Sequence, residues 1–161
     1  MRDVNECVVK IAAVLKARNH SVVTAESCTG GGVASALTEL AGSSEWFEGG
    51  FVTYSNASKI KWLDVSAAVL AQYGAVSEEI AEVMVRSALK NSDAEVALSV
   101  TGIAGPTGAV AGKPVGTICF AWATKEYVVT ERLLCTGDRQ AVREQAVAHA
   151  LEGLLRFLAQ H

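Results

Sequence analysis

The sequence predicts a single α/β domain, a layered sandwich in which a mixed β-sheet is flanked by helices. Three observations lead there. Short β-branched or alternating runs recur at 21–25, 50–54, 95–100, 114–124 and 126–135, each bounded by turn residues. The first three are separated by stretches with apolar residues at helical spacing, the order expected of strands linked through helices. The last two are separated by little more than Lys125, which suits an antiparallel hairpin and makes the sheet mixed. Half of the 161 residues are apolar, and two prolines with no low-complexity tract leave no evident linker. One domain over 1–161 is therefore expected.

The elements follow in order. Val4, Cys7, Val8, Ile11, Val14 and Leu15 predict a first helix over 4–16, with Arg2, Glu6, Lys10 and Lys16 on or near its wet side. Asn19-His20 ends it. The strand 21–25 leads through a polar, glycine-rich turn into a helix over 33–40, closed by Ala41-Gly42. From Gly42 to Gly50 the chain reads as loop, with Trp46 and Phe47 either packed over a pocket or tucked into the core. The strand 50–54 runs into a short helix over 55–63, capped by Ser55 or Asn56. On a helical wheel Ile60 and Leu63 define its buried side, and Lys59 lies nearer that side than Lys61. A helix over 66–72 closes at Tyr73-Gly74. Ser77 caps the next, 78–90, where Glu78 and Glu79 complement the positive end. After the strand 95–100, Thr101-Gly102-Ile103-Ala104-Gly105-Pro106-Thr107-Gly108 forms a second glycine-bearing loop. No helix pattern follows it, so it is neither a P-loop nor a dinucleotide fingerprint. Beyond the hairpin, Asp138 caps a final helix to about 158, with Val142, Ala146, Leu151, Leu154, Leu155 and Leu158 as its core stripe.

Composition removes several functions. A net charge of −3 and a pI near 5.6 argue against a general nucleic-acid binder. The cysteines at 7, 28, 119 and 135 form no C-x-x-C pair, and His20, His149 and His161 show no ligand spacing, so no metal or other cofactor is expected. Cysteines spaced for neither a disulfide framework nor a metal site suggest a reducing cytosol. The first residues lack the apolar core of a signal peptide, and no apolar run approaches membrane-spanning length. A soluble cytoplasmic protein with no membrane partner is expected, with homo-oligomerisation left open.

Three signals carry chemistry. Ser27 and Cys28 put two nucleophiles on a strand-to-helix turn, where Gly30, Gly31 and Gly32 let a ligand approach free N–H groups. The plain alternative is that Ser27 or Thr29 caps the helix. Lys59, at the edge of an apolar helix face, is a candidate base if its ammonium is desolvated; the alternative is a lysine reaching for water. Arg139 and Arg143 share one face of the last helix near its positive end, an arrangement that an anion would relieve. Pairing with Asp138 or Glu144 would relieve it equally. The hydroxyl of Thr101, beside Gly102, adds a donor at a strand end, although an ordinary Gly-Pro turn explains that loop as well.

Several longer motifs stand in the same order: Thr24-Ala25-Glu26-Ser27-Cys28-Thr29-Gly30-Gly31, Ala41-Gly42-Ser43-Ser44-x-Trp46-Phe47, Gly50-Phe51-Val52-Thr53-Tyr54-Ser55-Asn56-x-x-Lys59, Gly74-Ala75-Val76-Ser77, Thr101-Gly102-Ile103-Ala104-Gly105-Pro106, Lys113-Pro114-Val115-Gly116-Thr117 and Gly137-Asp138-Arg139-x-x-Val142-Arg143. Together they resemble the CinA C-terminal-domain family in its stand-alone, nicotinamide-nucleotide amidase form, from the first helix to the last. The resemblance implies hydrolysis of the carboxamide of nicotinamide mononucleotide (NMN) to nicotinate mononucleotide and ammonia, a step in NAD recycling. It implies Ser27 as nucleophile and Lys59 as its lysine, with further roles for Tyr54 and Arg143. Ala109-Val110-Ala111-Gly112 departs from relatives that carry acidic residues there, a change that bears on substrate entry rather than chemistry.

On that reading neutral Lys59 takes the proton of Ser27 as it attacks and later delivers it to ammonia. Backbone N–H groups near Thr29 and Gly30, or the Gly42-Ser43-Ser44 loop, would hold the oxyanion. Arg143 and the Thr101-Gly102 loop would hold the phosphate, with a smaller part for Arg139. Two other readings stay open: a non-catalytic nucleotide-binding module, and an acyl-transfer enzyme using Cys28, for which no histidine partner stands out.

Overall fold

Side-chain alternation in the central strands sets the layering. In β3 (Val96–Gly102), Val96, Leu98 and Val100 join one buried cluster while Ala97 joins another; in β4 (Thr117–Ala123), Ile118, Phe120 and Trp122 separate in the same way from Cys119, Ala121 and Ala123. Both strands are buried on both faces, so they read as near-continuous apolar runs. The computed structural model describes residues 3–161. Its sheet runs β2-β1-β3-β4-β5, where β1 is Val22–Glu26, β2 is Phe47–Val52 and β5 is Val128–Leu134. β1 is parallel to β2 and β3, and the β4–β5 hairpin is antiparallel, giving the expected mixed sheet.

Helices α1 (Val4–Arg18), α2 (Gly32–Thr38) and α6 (Arg139–Gln160) cover the face bearing the large side chains. Trp122 Nε1 donates to Ala150 O at 2.9 Å and ties α6 to the sheet. On the other face the small residues of β1, β3 and β4 admit α5 (Glu78–Lys90), joined by Leu63 of α3 (Asn56–Leu63) and Leu70 of α4 (Ala67–Tyr73). The carboxyl ends of three parallel strands, β1, β2 and β3, therefore open at one edge of the sheet, the place where open α/β folds bind ligands.

Several boundaries differ from expectation. β2 starts at Phe47 and ends at Val52, not 50–54, because Val22 N–H bonds Trp46 O at one end and Thr53 N–H bonds Glu26 O at the other. Two glycines inside the strand hid it; Gly50 is required, since a Cβ there would stand 2.4 Å from Thr24 Oγ1. Trp46 lies in the core at 1% exposure rather than over a pocket. β3 runs on through Thr101 and Gly102, and β4 begins only at Thr117.

Candidate active site

Ser27 is the first residue beyond β1. Its N–H continues the ladder to Val100 O at 2.9 Å, and the residue is 7% exposed. The chain then turns through Gly30 and Gly31, at φ 58° and 98°, before entering α2. Neither Ser27 nor Thr29 caps that helix. The carboxylate of Glu26 does, accepting from Val33 N–H at 2.8 Å and Ala34 N–H at 3.0 Å, and also from the Thr29 hydroxyl at 2.6 Å. Glu26 is wholly buried, and sequence reasoning missed it; an acidic residue ending an apolar strand was the available signal. Glu26→Ala leaves three buried donors unpaired and is expected to cost about 2–4 kcal/mol, read as a lowered Tm.

Lys59 lies on the buried side of α3 together with Leu63, at 1% exposure, while Ile60 is 40% exposed. The wheel had the face one residue out. The Lys59 Nζ stands 2.8 Å from Ser27 Oγ, 2.8 Å from Thr53 O and 3.2 Å from Tyr54 O. Burial lowers its ammonium from the ordinary 10.5 to about 8. Arg143 is not among the causes of that shift. Cys28 is buried as well, and burial pushes its thiol up to about 12, so it is a poor source of thiolate.

Ser27 and Lys59 open onto a cavity of about 230 Å³. Tyr54, Asn56, Thr101, Gly102, Gly105, Thr107, Gly108 and Arg139 complete much of its wall. Arg139 is held by neutral oxygens, donating to Gly105 O and to the Tyr54 hydroxyl, both at 2.8 Å. No carboxylate neutralises it among the described residues. The Thr101 hydroxyl donates to Ala75 O at 2.9 Å and so fixes the wall rather than waiting for a ligand. Among the described residues no group of three or more His, Cys, Asp or Glu side chains could hold a metal ion. No helix among the described residues is long and apolar enough to cross a membrane.

The profile of the CinA C-terminal domain matches residues 4–158. The chain belongs to the CinA C-terminal domain family. Two similar members are named nicotinamide-nucleotide amidohydrolase PncC. That of Pseudomonas putida is 48% identical over 157 residues, covering 98% of each chain; that of Escherichia coli K12 is 50% identical over 153 residues, covering 94% of this chain and 93% of its own. A crystal structure of a CinA superfamily protein from Klebsiella pneumoniae superposes with a TM-score of 0.95 at 38% identity, covering 99% of this chain and 100% of that one.

Not all of the CinA-type motif residues converge on the cavity. β2 pairs Phe47 with Val22 and Val52 with Glu26, so Gly42, Ser43 and Ser44, which precede β2, lie at the amino end of the strands. Ser27 follows the carboxyl end, roughly 17 Å from the level of Val22 along the strand at about 3.3 Å per residue. Within one chain the Gly42-Ser43-Ser44 loop therefore does not reach Ser27. Gly30 is no free donor either, since its N–H bonds Ser27 O at 3.0 Å. Thr29 is turned into the protein, its hydroxyl on Glu26. Arg143 stands outside the cavity on the carbonyls of the Ser27 turn, and Arg139 takes the place expected of it. Neither arginine pairs with Asp138, which caps α6, or with Glu144, which accepts from Gln140. Asn56, Gly105, Thr107 and Gly108 were not singled out as wall residues; the second glycine-bearing loop, which contains the last three, and the motif string containing Asn56 marked their neighbourhoods.

Proposed function

We propose that this chain, as one domain over 1–161, hydrolyses the carboxamide of NMN to nicotinate mononucleotide and ammonia. Ser27 is the nucleophile and Lys59 the base. The names of the relatives support the substrate, and one observation carries the chemistry: the buried Lys59 Nζ 2.8 Å from Ser27 Oγ. A neutral amine has two N–H bonds and one lone pair. With the two N–H bonds directed to Thr53 O and Tyr54 O, the lone pair is left for the serine O–H.

Attack of Ser27 Oγ on the carboxamide carbon passes the hydroxyl proton to Lys59. The resulting ammonium protonates the departing nitrogen, which leaves as ammonia, and an ester to Ser27 remains. Water then attacks that ester, with Lys59 again accepting a proton and returning it to Ser27 Oγ. The Thr29 N–H supports the oxyanion. Arg139, with the backbone around Gly102 and Gly105 to Gly108, receives the phosphate, while Tyr54 holds the Arg139 guanidinium in place.

Incubating the protein with NMN tests the reading. Ammonia and nicotinate mononucleotide in equal amounts are expected. Binding of NMN without turnover would mean a nucleotide-binding module instead. Arg139→Ala is expected to raise KM for NMN about 10- to 100-fold, the loss of a charge-assisted contact, with a smaller change in kcat. Free nicotinamide should be a far poorer substrate than NMN. Steady-state kinetics on both compounds check this, and equal kcat/KM for the two would remove the phosphate anchor.

A further inference from the structure

Arg143 reaches from α6 to the turn that carries Ser27. Its Nε donates to Cys28 O at 3.1 Å and its Nη2 to Thr29 O at 3.2 Å. Gly30 serves the turn through its backbone, at φ 58°, rather than by leaving space, since a Cβ there would meet Nη2 at 3.4 Å, an ordinary contact. No carboxylate pairs with this guanidinium among the described residues. A cation is thus stationed on two backbone carbonyls immediately after the nucleophile.

A trans peptide unit is planar, with its C=O and N–H pointing in opposite directions. Holding Cys28 O towards Arg143 therefore turns the Thr29 N–H away from Arg143. That N–H has no hydrogen-bond partner among the described residues, while Ser27 N–H bonds Val100 O, Gly30 N–H bonds Ser27 O and Gly32 N–H bonds Thr29 O. Cys28 N–H and Gly31 N–H make no backbone hydrogen bond either, but neither shares its peptide unit with a carbonyl that Arg143 holds. We infer that Arg143 is a positioning residue: by fixing the Cys28 carbonyl outward it presents the Thr29 N–H to the oxygen that becomes negative when Ser27 attacks. Without it the Cys28–Thr29 peptide is free to rotate and bring a carbonyl, the wrong end of the dipole, to the oxyanion. This role rests on the Ser27 amidase reading and differs from a phosphate contact in what it changes. A phosphate contact acts on binding; an oriented N–H acts on the transition state.

The test compares wild type, Arg143→Ala and Arg143→Lys, each checked for an intact melting transition. NMN and its phosphate-free analogue nicotinamide riboside serve as substrates, and a fluorophosphonate probe reports acylation-like attack by Ser27 without any nucleotide. Arg143→Ala is expected to lower kcat about 10- to 100-fold on both substrates by a similar factor, with KM nearly unchanged, and to slow phosphonylation of Ser27 comparably. Arg143→Lys should recover part of the loss, since an ammonium can hold one of the two carbonyls. A raised KM for NMN alone, with riboside turnover and probe labelling at the wild-type rate, would overturn the inference in favour of a phosphate contact. Arg143-dependent labelling in a protein that releases no ammonia from NMN would refute the substrate reading and leave the positioning role standing.

Discussion

Ser27→Ala is expected to lose NMN hydrolysis by about 10³-fold or more while remaining folded, because among the described residues no other hydroxyl or thiol at the cavity stands within hydrogen-bond reach of Lys59 Nζ. Cys28→Ala is expected to keep most of its activity. The thiol is buried, its pKa is pushed up to about 12, and its side chain packs in the core that α1, α2 and α6 form on the sheet. The contrast separates two neighbours on one turn. Ammonia release measures it, and circular dichroism confirms that each variant folds. An inactive Cys28→Ala beside an active Ser27→Ala would transfer the nucleophile to the thiol.

Lys59→Arg should be nearly as inactive as Lys59→Ala, since a guanidinium keeps its charge at any working pH and cannot accept the serine proton. Lys61→Ala, on the exposed side of α3, should match wild type. An active Lys59→Arg enzyme would reduce position 59 to a source of charge. Stability should move the other way. A lysine that ionises near pH 10.5 unfolded and near 8 folded binds fewer protons in the native state between those values, so its contribution to stability rises with pH across that window. Below pH 8 its burial penalty is fully present. Lys59→Met is therefore expected to be inactive and yet more stable at pH 7, by about 1–2 kcal/mol after the lost hydrogen bonds are set against the relieved charge.

The helices and the layered, mixed sheet were legible because their apolar periodicities are strong and their caps local: Ser55, Ser66, Ser77 and Asp138 each accept from the helix they open. The turn between β1 and α2 was legible too, since a polar, glycine-rich stretch separates a β-branched run from a helical one. What failed depended on pairing across the sheet. Nothing local reveals that Phe47 lies opposite Val22, so the Gly42-Ser43-Ser44 loop could not be assigned to the far end from sequence alone. The arginines failed for a related reason. Arg139 and Arg143 share a helix face, but one turn of α6 decides that the first meets Tyr54 and the second meets the carbonyls behind Ser27. Glu26 was hidden by its rarity, a carboxylate inside an apolar layer that is tolerated because three donors converge on it.

The proposed Ser27 chemistry needs a lysine that is neutral often enough to act as a base. At a pKa of about 8 roughly a tenth of the molecules qualify at pH 7, against roughly one in a thousand or fewer for an ordinary lysine. The measurement that reaches this claim most directly is kcat/KM for NMN between pH 7 and 10, which reports the ionisations of the free enzyme. Activity should rise as Lys59 loses its proton and level off above a midpoint near 8. A profile that is flat across the range, or that is still climbing at pH 10, would contradict a desolvated Lys59 acting as the base for Ser27.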